Sequence, residues 1–438
     1  MIEKDLLSKI EEFNFWYKEQ DVGIQRSELA YLLRFAEDKD FCLVITGIRR
    51  AGKTYLAKQL LKKKIDGGIK REQTLYINFE DPSLEPYLNT ESLTAIYSAY
   101  RYFLNKDEMA YIVLDEVHNV KNWEKWVRVM LDKKENVKII ITGSSSKLSK
   151  GELATLLTGR EVTVPIFPLD FTAFLKFRKH EIKKYESYHS LSFLLNEYLE
   201  YGGFPLIVLA EKDKKTIYLK ELFDDILTKD IIIRYKLRET EVKKLAVVLL
   251  NNFSSPVSVT KLSNLMETVA RIKLSPSTIN DYLHYFEETF LFFFVPIFSY
   301  KVKDVMQYPR KAYCIDAGLI NAISLRFSEN LGKLYENTVA INLIRRHGKE
   351  NLFYWKDKSG NEVDFVVKDH LSVRLLIQVC HDIRQPKVRK RELAALLKAS
   401  EELKCANLFV ITEDIEEEEE ISGKKVKFLP LWKWLITT

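Results

Sequence analysis

Cysteine is scarce in this 438-residue chain, and the four present, Cys42, Cys314, Cys380 and Cys405, lie far apart. No pair has the close spacing of a zinc knuckle or a redox motif, so reduced thiols in a cytosolic protein are expected. Long apolar runs are also missing. The longest, such as 290–298, falls far short of the ~20 residues that span a bilayer. Residues 1–17 are charged and amphipathic, unlike a secretory leader. The expectation is a cytoplasmic protein with no membrane association. Gln is sparse beside abundant Lys, Glu and Ile, a bias that resembles thermophilic proteins. Nor does one sign of charge dominate. The 68 basic and 62 acidic side chains leave +6, which permits a polyanionic partner without requiring one.

What is present is a globular composition, 46% hydrophobic and 30% charged, which excludes a disordered chain. The length is too great for one compact core and implies roughly two to four domains. The first forty residues read as helical, with Leu29, Leu32, Leu33 and Phe35 on one face. Short strands that are apolar on both faces follow at FCLVITG (41–47), TLYINFE (74–80), YIVLDEV (111–117) and VKIIITG (137–143), with helical stretches between them. That alternation predicts an α/β domain built on a parallel sheet covered on both sides, ending near 175. Residues 176–240 turn helical and basic, broken by YGGFP (201–205), a turn between helices. Three short helical patterns and an aromatic strand pair occupy 241–312. A second α/β segment begins at 313, with a helix at LYENTVAINLIRR and strands at FYW, EVDFVV and LLIQV. The run of glutamates at 416–420 is expected to be a solvated loop.

Gly47, Ile48, Arg49, Arg50, Ala51, Gly52, Lys53 and Thr54 satisfy G-x-x-x-x-G-K-[ST] between a buried strand and a helix. Glycines let successive amides turn inward around phosphate oxygens, and the following helix points its positive end at them. Lys53 would reach the β- and γ-phosphates of ATP or ADP, and the Thr54 hydroxyl would ligate Mg2+, with Tyr55 the next residue at the site. The partner motif is a strand, 111–114, running into Asp115 and Glu116. Asp115 would hold the magnesium and Glu116 would polarise the attacking water, so hydrolysis is expected beside binding. Ser144, with Thr142 close behind, is a candidate for contacting the γ-phosphate. Arg160, in LLTGR, is a candidate charge-stabilising arginine, acting in place or from a neighbouring subunit, and Arg128 is a second.

The segments GIRRAGKT, LDEVHNVKNWEKWV, TGSSS, LTGR, IFPLDFTAFL and YGGFP occur in this order. Together they resemble the archaeal and bacterial AAA-type P-loop ATPases that carry a C-terminal domain of the PD-(D/E)xK, restriction-endonuclease-like fold. The resemblance implies an AAA+-like core at 1–175, a small helical lid at 176–240, a winged helix at 241–312 and a nuclease-like domain at 313–438. It also implies DNA association and assembly into a homo-oligomer, a ring or a dimer. Within 256–286, VSVTKLSNL and STINDYLHYFEE fit a helix-turn-helix with a serine N-cap, and 290–299 would supply the wing. Ser277, Thr278 and Asn280 would face a major groove, and Lys261, Arg271 and Lys273 would contact phosphates. Asp281, Glu287 and Glu288 weaken that basic face.

Nuclease chemistry of the end domain would need an acid on one strand, an acid-x-lysine on the next and often a helical glutamate. Glu336 and Asp364 supply two of these, but the third position reads Gln378-Val379-Cys380, followed by His381 and Asp382. A nuclease-like domain without cleavage activity is therefore expected. The expected function is a DNA-associated ATPase. The alternative is a nucleotide-switched protein-interaction module with little turnover and no DNA binding, and an ATP-gated nuclease stands third.

Overall fold

The computed structural model of the chain describes residues 2–144, 148, 157, 159–181, 188–324 and 331–437. Ser145 and Ser146 of the TGSSS segment lie outside the described residues. The chain divides into two units, Met1–Phe167 and Pro168–Thr438. The first ends earlier than the expected 175, because the helix Phe171–Phe177 packs on later helices of the second unit.

The first unit is built on five parallel strands, β1 (Cys42–Gly47), β2 (Thr74–Asn78), β3 (Ala110–Asp115), β4 (Val137–Ser144) and β5 (Glu161–Ile166), in the spatial order β2–β3–β4–β1–β5. Every residue of β1, β3 and β4 is buried, as runs apolar on both faces require. Crossover connections carry α3 (Lys53–Asp66), α4 (Thr90–Phe103) and α5 (Trp123–Asp132). Because β4 is inserted between β1 and β3, the carboxyl ends of these strands converge on one crevice.

Among the described residues of the first forty, only Ile2–Glu11 (α1) and Leu29–Leu33 (α2) are helical. The rest serves the edge of the sheet. The Asn14 amide donates to the Tyr76 carbonyl at 2.8 Å while its oxygen accepts from the Tyr76 N–H at 2.7 Å, and the Trp16 indole donates to the Thr74 carbonyl at 2.6 Å. These side chains pair backbone groups that edge strand β2 would otherwise leave open.

The second unit opens with helices Phe171–Phe177, Tyr188–Tyr201, Pro205–Leu209 and Lys212–Asp225. YGGFP is the predicted turn: Tyr201 ends one helix, Gly202 takes a φ of +75°, and Pro205 opens the next. Helices Glu239–Asn251, Val259–Thr268 and Pro276–Glu288 follow, interleaved with β6 (Ser255–Val257), β7 (Phe292–Val295) and β8 (Arg310–Cys314) in an antiparallel sheet of order β6–β8–β7. The strand partner of β7 is therefore β8, not another part of 290–299, and the short helix Val302–Gln307 lies between them.

A six-stranded mixed sheet completes the unit, in the order β13 (Glu417–Ile421), β14 (Lys424–Pro430), β12 (Leu408–Thr412), β11 (Ser372–Val379), β10 (Glu362–Asp369), β9 (Leu352–Lys356). Helices Leu331–His347 and Pro386–Leu403 pack on it. The glutamate run is strand β13 rather than a loop. It pairs antiparallel with β14, where Glu418 meets Lys425 at 3.2 Å and Glu417 meets Arg389 at 2.9 Å. Cross-strand cations neutralise the run, and the charged side chains protect this sheet edge from further pairing.

Candidate functional site

The loop between β1 and α3 begins at Gly47. A β-carbon there would lie 2.2 Å from the carbonyl oxygen of Ile166, so glycine is what lets β1 and β5 close together under the loop. Arg50 and Gly52 take left-handed conformations, φ 61° and 99°, which turn the chain abruptly into the helix. Gly52 is the N-cap and offers no side-chain acceptor. The first-turn amides of this 14-residue helix therefore remain available to an anion, and the helix dipole favours negative charge there.

Lys53 is buried, its ammonium 3.2 Å from the Gly47 carbonyl oxygen and 3.3 Å from that of Ile48. The same ammonium stands 3.9 Å from Glu116, so the loop and the acidic strand end share one crevice. Both oxygens of Asp115 are engaged. Tyr76 donates its hydroxyl to one at 2.5 Å and Thr142 donates to the other. The Thr142 oxygen also accepts the Glu116 N–H at 3.1 Å. Glu116 itself adopts a left-handed backbone, φ 52°. That conformation is costly for a residue with a β-carbon and aims its carboxylate back at Lys53. Burial raises the Glu116 carboxyl above its usual range, partly opposed by the Lys53 charge. The His118 Nδ1 lies 3.3 Å from its second oxygen.

A second polar constellation lies in the other unit. Lys311, on β8, is buried with its ammonium 3.0 Å from Glu336, 2.7 Å from Glu362 and 2.8 Å from Asp364. Tyr313 donates to Glu336 at 2.7 Å, and the Val379 N–H donates to Asp364 at 2.9 Å. Gln378 donates to Glu392 at 2.6 Å. Burial pushes the Glu336 carboxyl up, and the Lys311 charge opposes it.

Residues 39–175 match the family model described as an AAA domain. Residues 192–330 and 331–434 match two domains of unknown function (DUF8612 and DUF4143). An uncharacterized protein of Methanocaldococcus jannaschii is 38% identical over 408 residues, covering 90% of this chain and 88% of its own length. An uncharacterized protein of Haemophilus influenzae is 32% identical over 406 residues, covering 92% and 96%. The chain belongs to the family of these two proteins. Among solved structures, the Walker-type ATPase of Pyrococcus abyssi is similar at 14% identity with a TM-score of 0.45, over 68% of this chain and 95% of that one. The AAA-type domain of this family member thus contains the loop and the acidic strand just described. The expected restriction-endonuclease fold has no counterpart among the matching models, which assign 331–434 only to a domain of unknown function.

The sequence-predicted residues sort cleanly by place. Lys53, Asp115, Glu116 and Thr142 converge, and Ser144 is buried in register with Gly47 at the mouth of the same crevice. Thr54 is half-buried on the first turn of α3. Arg49 is half-buried 3.9 Å from Glu80, and Ile48 and Ala51 are buried beneath the loop. Tyr55 instead turns outward, its hydroxyl 3.4 Å from Asp21. Arg160 is not brought to the crevice. Its carbonyl accepts from Cys42 at the amino end of β1, and its guanidinium pairs with Asp132 at 2.7 Å. The length of β1, roughly 16 Å at 3.3 Å per residue, separates it from the phosphate loop of its own chain, so the in-place role is ruled out. Arg128 is exposed on α5. Sequence reading missed Tyr76, His118 and Lys311. Tyr76 precedes by two residues the position opposite Asp115 on β2, so strand alternation alone puts both on one face.

Proposed function

We propose that this chain binds ATP at 47–54 and hydrolyses it, with DNA as its partner and self-assembly as part of its cycle. One observation carries the nucleotide part: an uncapped helix N-terminus with a buried lysine stands beside two carboxylates at the end of β3, one strand removed from β1 in the parallel sheet. The residues fit magnesium, since Thr54 and Asp115 offer hard oxygens, and the ion would supply charge neutralisation between phosphate oxygens. The loop amides and Lys53 bind and orient the phosphates. Glu116 accepts a proton from water, and Thr142 holds Asp115 and the Glu116 backbone together so that neither acid drifts.

The reading of 241–312 as a winged helix is supported by its order of helix, strand, two helices and two strands, the last two separated by the short helix Val302–Gln307, and by the sheet order β6–β8–β7. Ser275 caps the second of the paired helices, accepting from Thr278 at 3.1 Å. Ser277 and Asn280 are exposed at that helix start, and Lys261, Arg271 and Lys273 are exposed nearby in sequence. Glu287 and Glu288 do not oppose them. Glu287 accepts the Phe294 N–H and pairs with Lys349, while Glu288 accepts from Tyr235 at 2.6 Å. Arg160 or Arg128 would act at a neighbouring copy's site.

ATP turnover measured with and without single- and double-stranded DNA tests this reading. Stimulation by one form supports it. An absence of ATP and ADP affinity in the presence of magnesium, or affinity unchanged by Lys53→Ala, overturns it. Turnover without any DNA affinity would favour instead the nucleotide-switched interaction module.

A further inference from the structure

We infer that the Lys311 ammonium is a built-in cation that fills the carboxylate cluster of Glu336, Glu362 and Asp364, in the place where a divalent ion would otherwise sit. The inference rests on no part of the nucleotide reading. Three acids from two elements, the helix Leu331–His347 and β10, converge on one nitrogen that is only 3% exposed, at 2.7 to 3.0 Å. A shell of hard oxygens around a single positive charge is what a magnesium or manganese ion recruits. Here the ammonium supplies the charge: it donates hydrogen bonds to Glu336 and Asp364 and is ion-paired with Glu362.

The surroundings lock that choice. Tyr313 donates to the same Glu336 oxygen that Lys311 contacts, and the Val379 amide holds the second oxygen of Asp364. Gln378, where an acid would add a further ligand, is neutral and is turned toward Glu392 at 2.6 Å. Cys380 is spent on the Asp382 carbonyl at 3.4 Å. The cluster is nevertheless accessible from one side: Glu336, Glu362 and Asp364 line a cavity of about 630 Å³ together with Gln378, Glu392 and Arg391. An ion has a route in but finds the place taken. The metal that a nuclease reading of this domain requires does not fit these residues. The same constellation predicts a latent site, because three carboxylates left without their ammonium need another cation.

The test is Mn2+ titration by calorimetry on full-length, nucleotide-free protein, comparing wild type, Asp364→Asn, Lys311→Met and the double variant. Wild type and Asp364→Asn should give the same isotherm. Lys311→Met should bind one additional Mn2+ at least about tenfold more tightly than wild type binds at any site outside the phosphate loop, and the double variant should lose it. Wild-type Mn2+ binding that disappears in Asp364→Asn overturns the inference, as does a folded Lys311→Met with no added ion. Should Lys311→Met not fold, the wild-type and Asp364→Asn pair still decides, and Lys311→Gln in the presence of Mn2+ provides the second variant. Plasmid cleavage by wild type with Mn2+ that Asp364→Asn abolishes would overturn it from the other direction, by making Lys311 part of a working centre.

Discussion

The phenol of Tyr76 lies 2.5 Å from one oxygen of Asp115, on the strand neighbouring it in the sheet. Burial and the Asp115 charge hold that phenol well above its ordinary pKa, so it is a donor at neutral pH. With Thr142 on the other oxygen, Asp115 is fixed from both sides before any ligand arrives. Tyr76→Phe removes one charge-assisted hydrogen bond without changing the shape of the site. Losing part of that bond's ~1.5–3 kcal/mol in positioning should slow ATP turnover about tenfold, with ATP affinity changed much less. Steady-state kinetics beside nucleotide titration check it; equal losses in both would make Tyr76 a simple packing residue.

In the proposed function, Glu116 separates binding from hydrolysis. Glu116→Gln keeps the shape and its left-handed backbone, so ATP should still bind while turnover falls by about 10²–10⁴. Its raised pKa gives the sign of the pH dependence. The ionised form is the base, so kcat/KM should fall on the acid side at a pH above the 4.5 of an ordinary glutamate. For stability the direction is opposite. A carboxyl whose folded pKa is raised favours the fold fully below 4.5, and that contribution is lost as pH rises through the folded value. An acid limb in kcat/KM at or below 4.5 would remove Glu116 from the role of base.

Much of the first unit was legible because its signals are local. A buried strand, a glycine loop and a lysine-headed helix lie within about twenty-five residues, and the acid pair ends another all-apolar strand. What escaped reading depends on pairing between distant segments. The β-run of glutamates became a strand only because Lys425 and Lys427 lie opposite on β14. Arg160 looked catalytic by residue type, but the register Cys42↔Glu161 puts it at the wrong end of β1. Lys311 gave no motif at all: its three acidic partners lie between 25 and 53 residues away, and β8 had been cut by a boundary drawn at 312.

Gly202 should tolerate no side chain. Its φ is +75°, and a β-carbon there would meet the Asp316 carboxylate at 1.8 Å, the group that accepts the Gly203 N–H at 2.7 Å and the Gly318 N–H at 2.9 Å. Gly202→Ala should destabilise the second unit by about 2–4 kcal/mol, through backbone strain and loss of that carboxylate's position. Gly360→Ala is the comparison. Its φ of +88° is similarly strained, but nothing lies within 4 Å, so only about 1–2 kcal/mol should be lost. Calorimetric melting of both variants distinguishes them, and equal losses would mean that Asp316 moves aside freely.

The DNA reading turns on charge that is exposed rather than paired across the fold. Arg271 adopts a left-handed φ of 58° beside exposed Lys273, just before the serine-capped helix Pro276–Glu288. Arg271→Asn suits that backbone while removing the charge. If both side chains reach phosphates, Arg271→Asn and Lys273→Ala should each lower the slope of log K against log salt by ~0.9, with little dependence on DNA sequence. Lys398→Ala, on the helix Pro386–Leu403 and with its ammonium already 2.6 Å from Asp357, should leave the slope unchanged. Anisotropy across a salt series measures all three. Identical slopes in every variant would move any DNA contact away from this helix pair, whatever the ATPase site does.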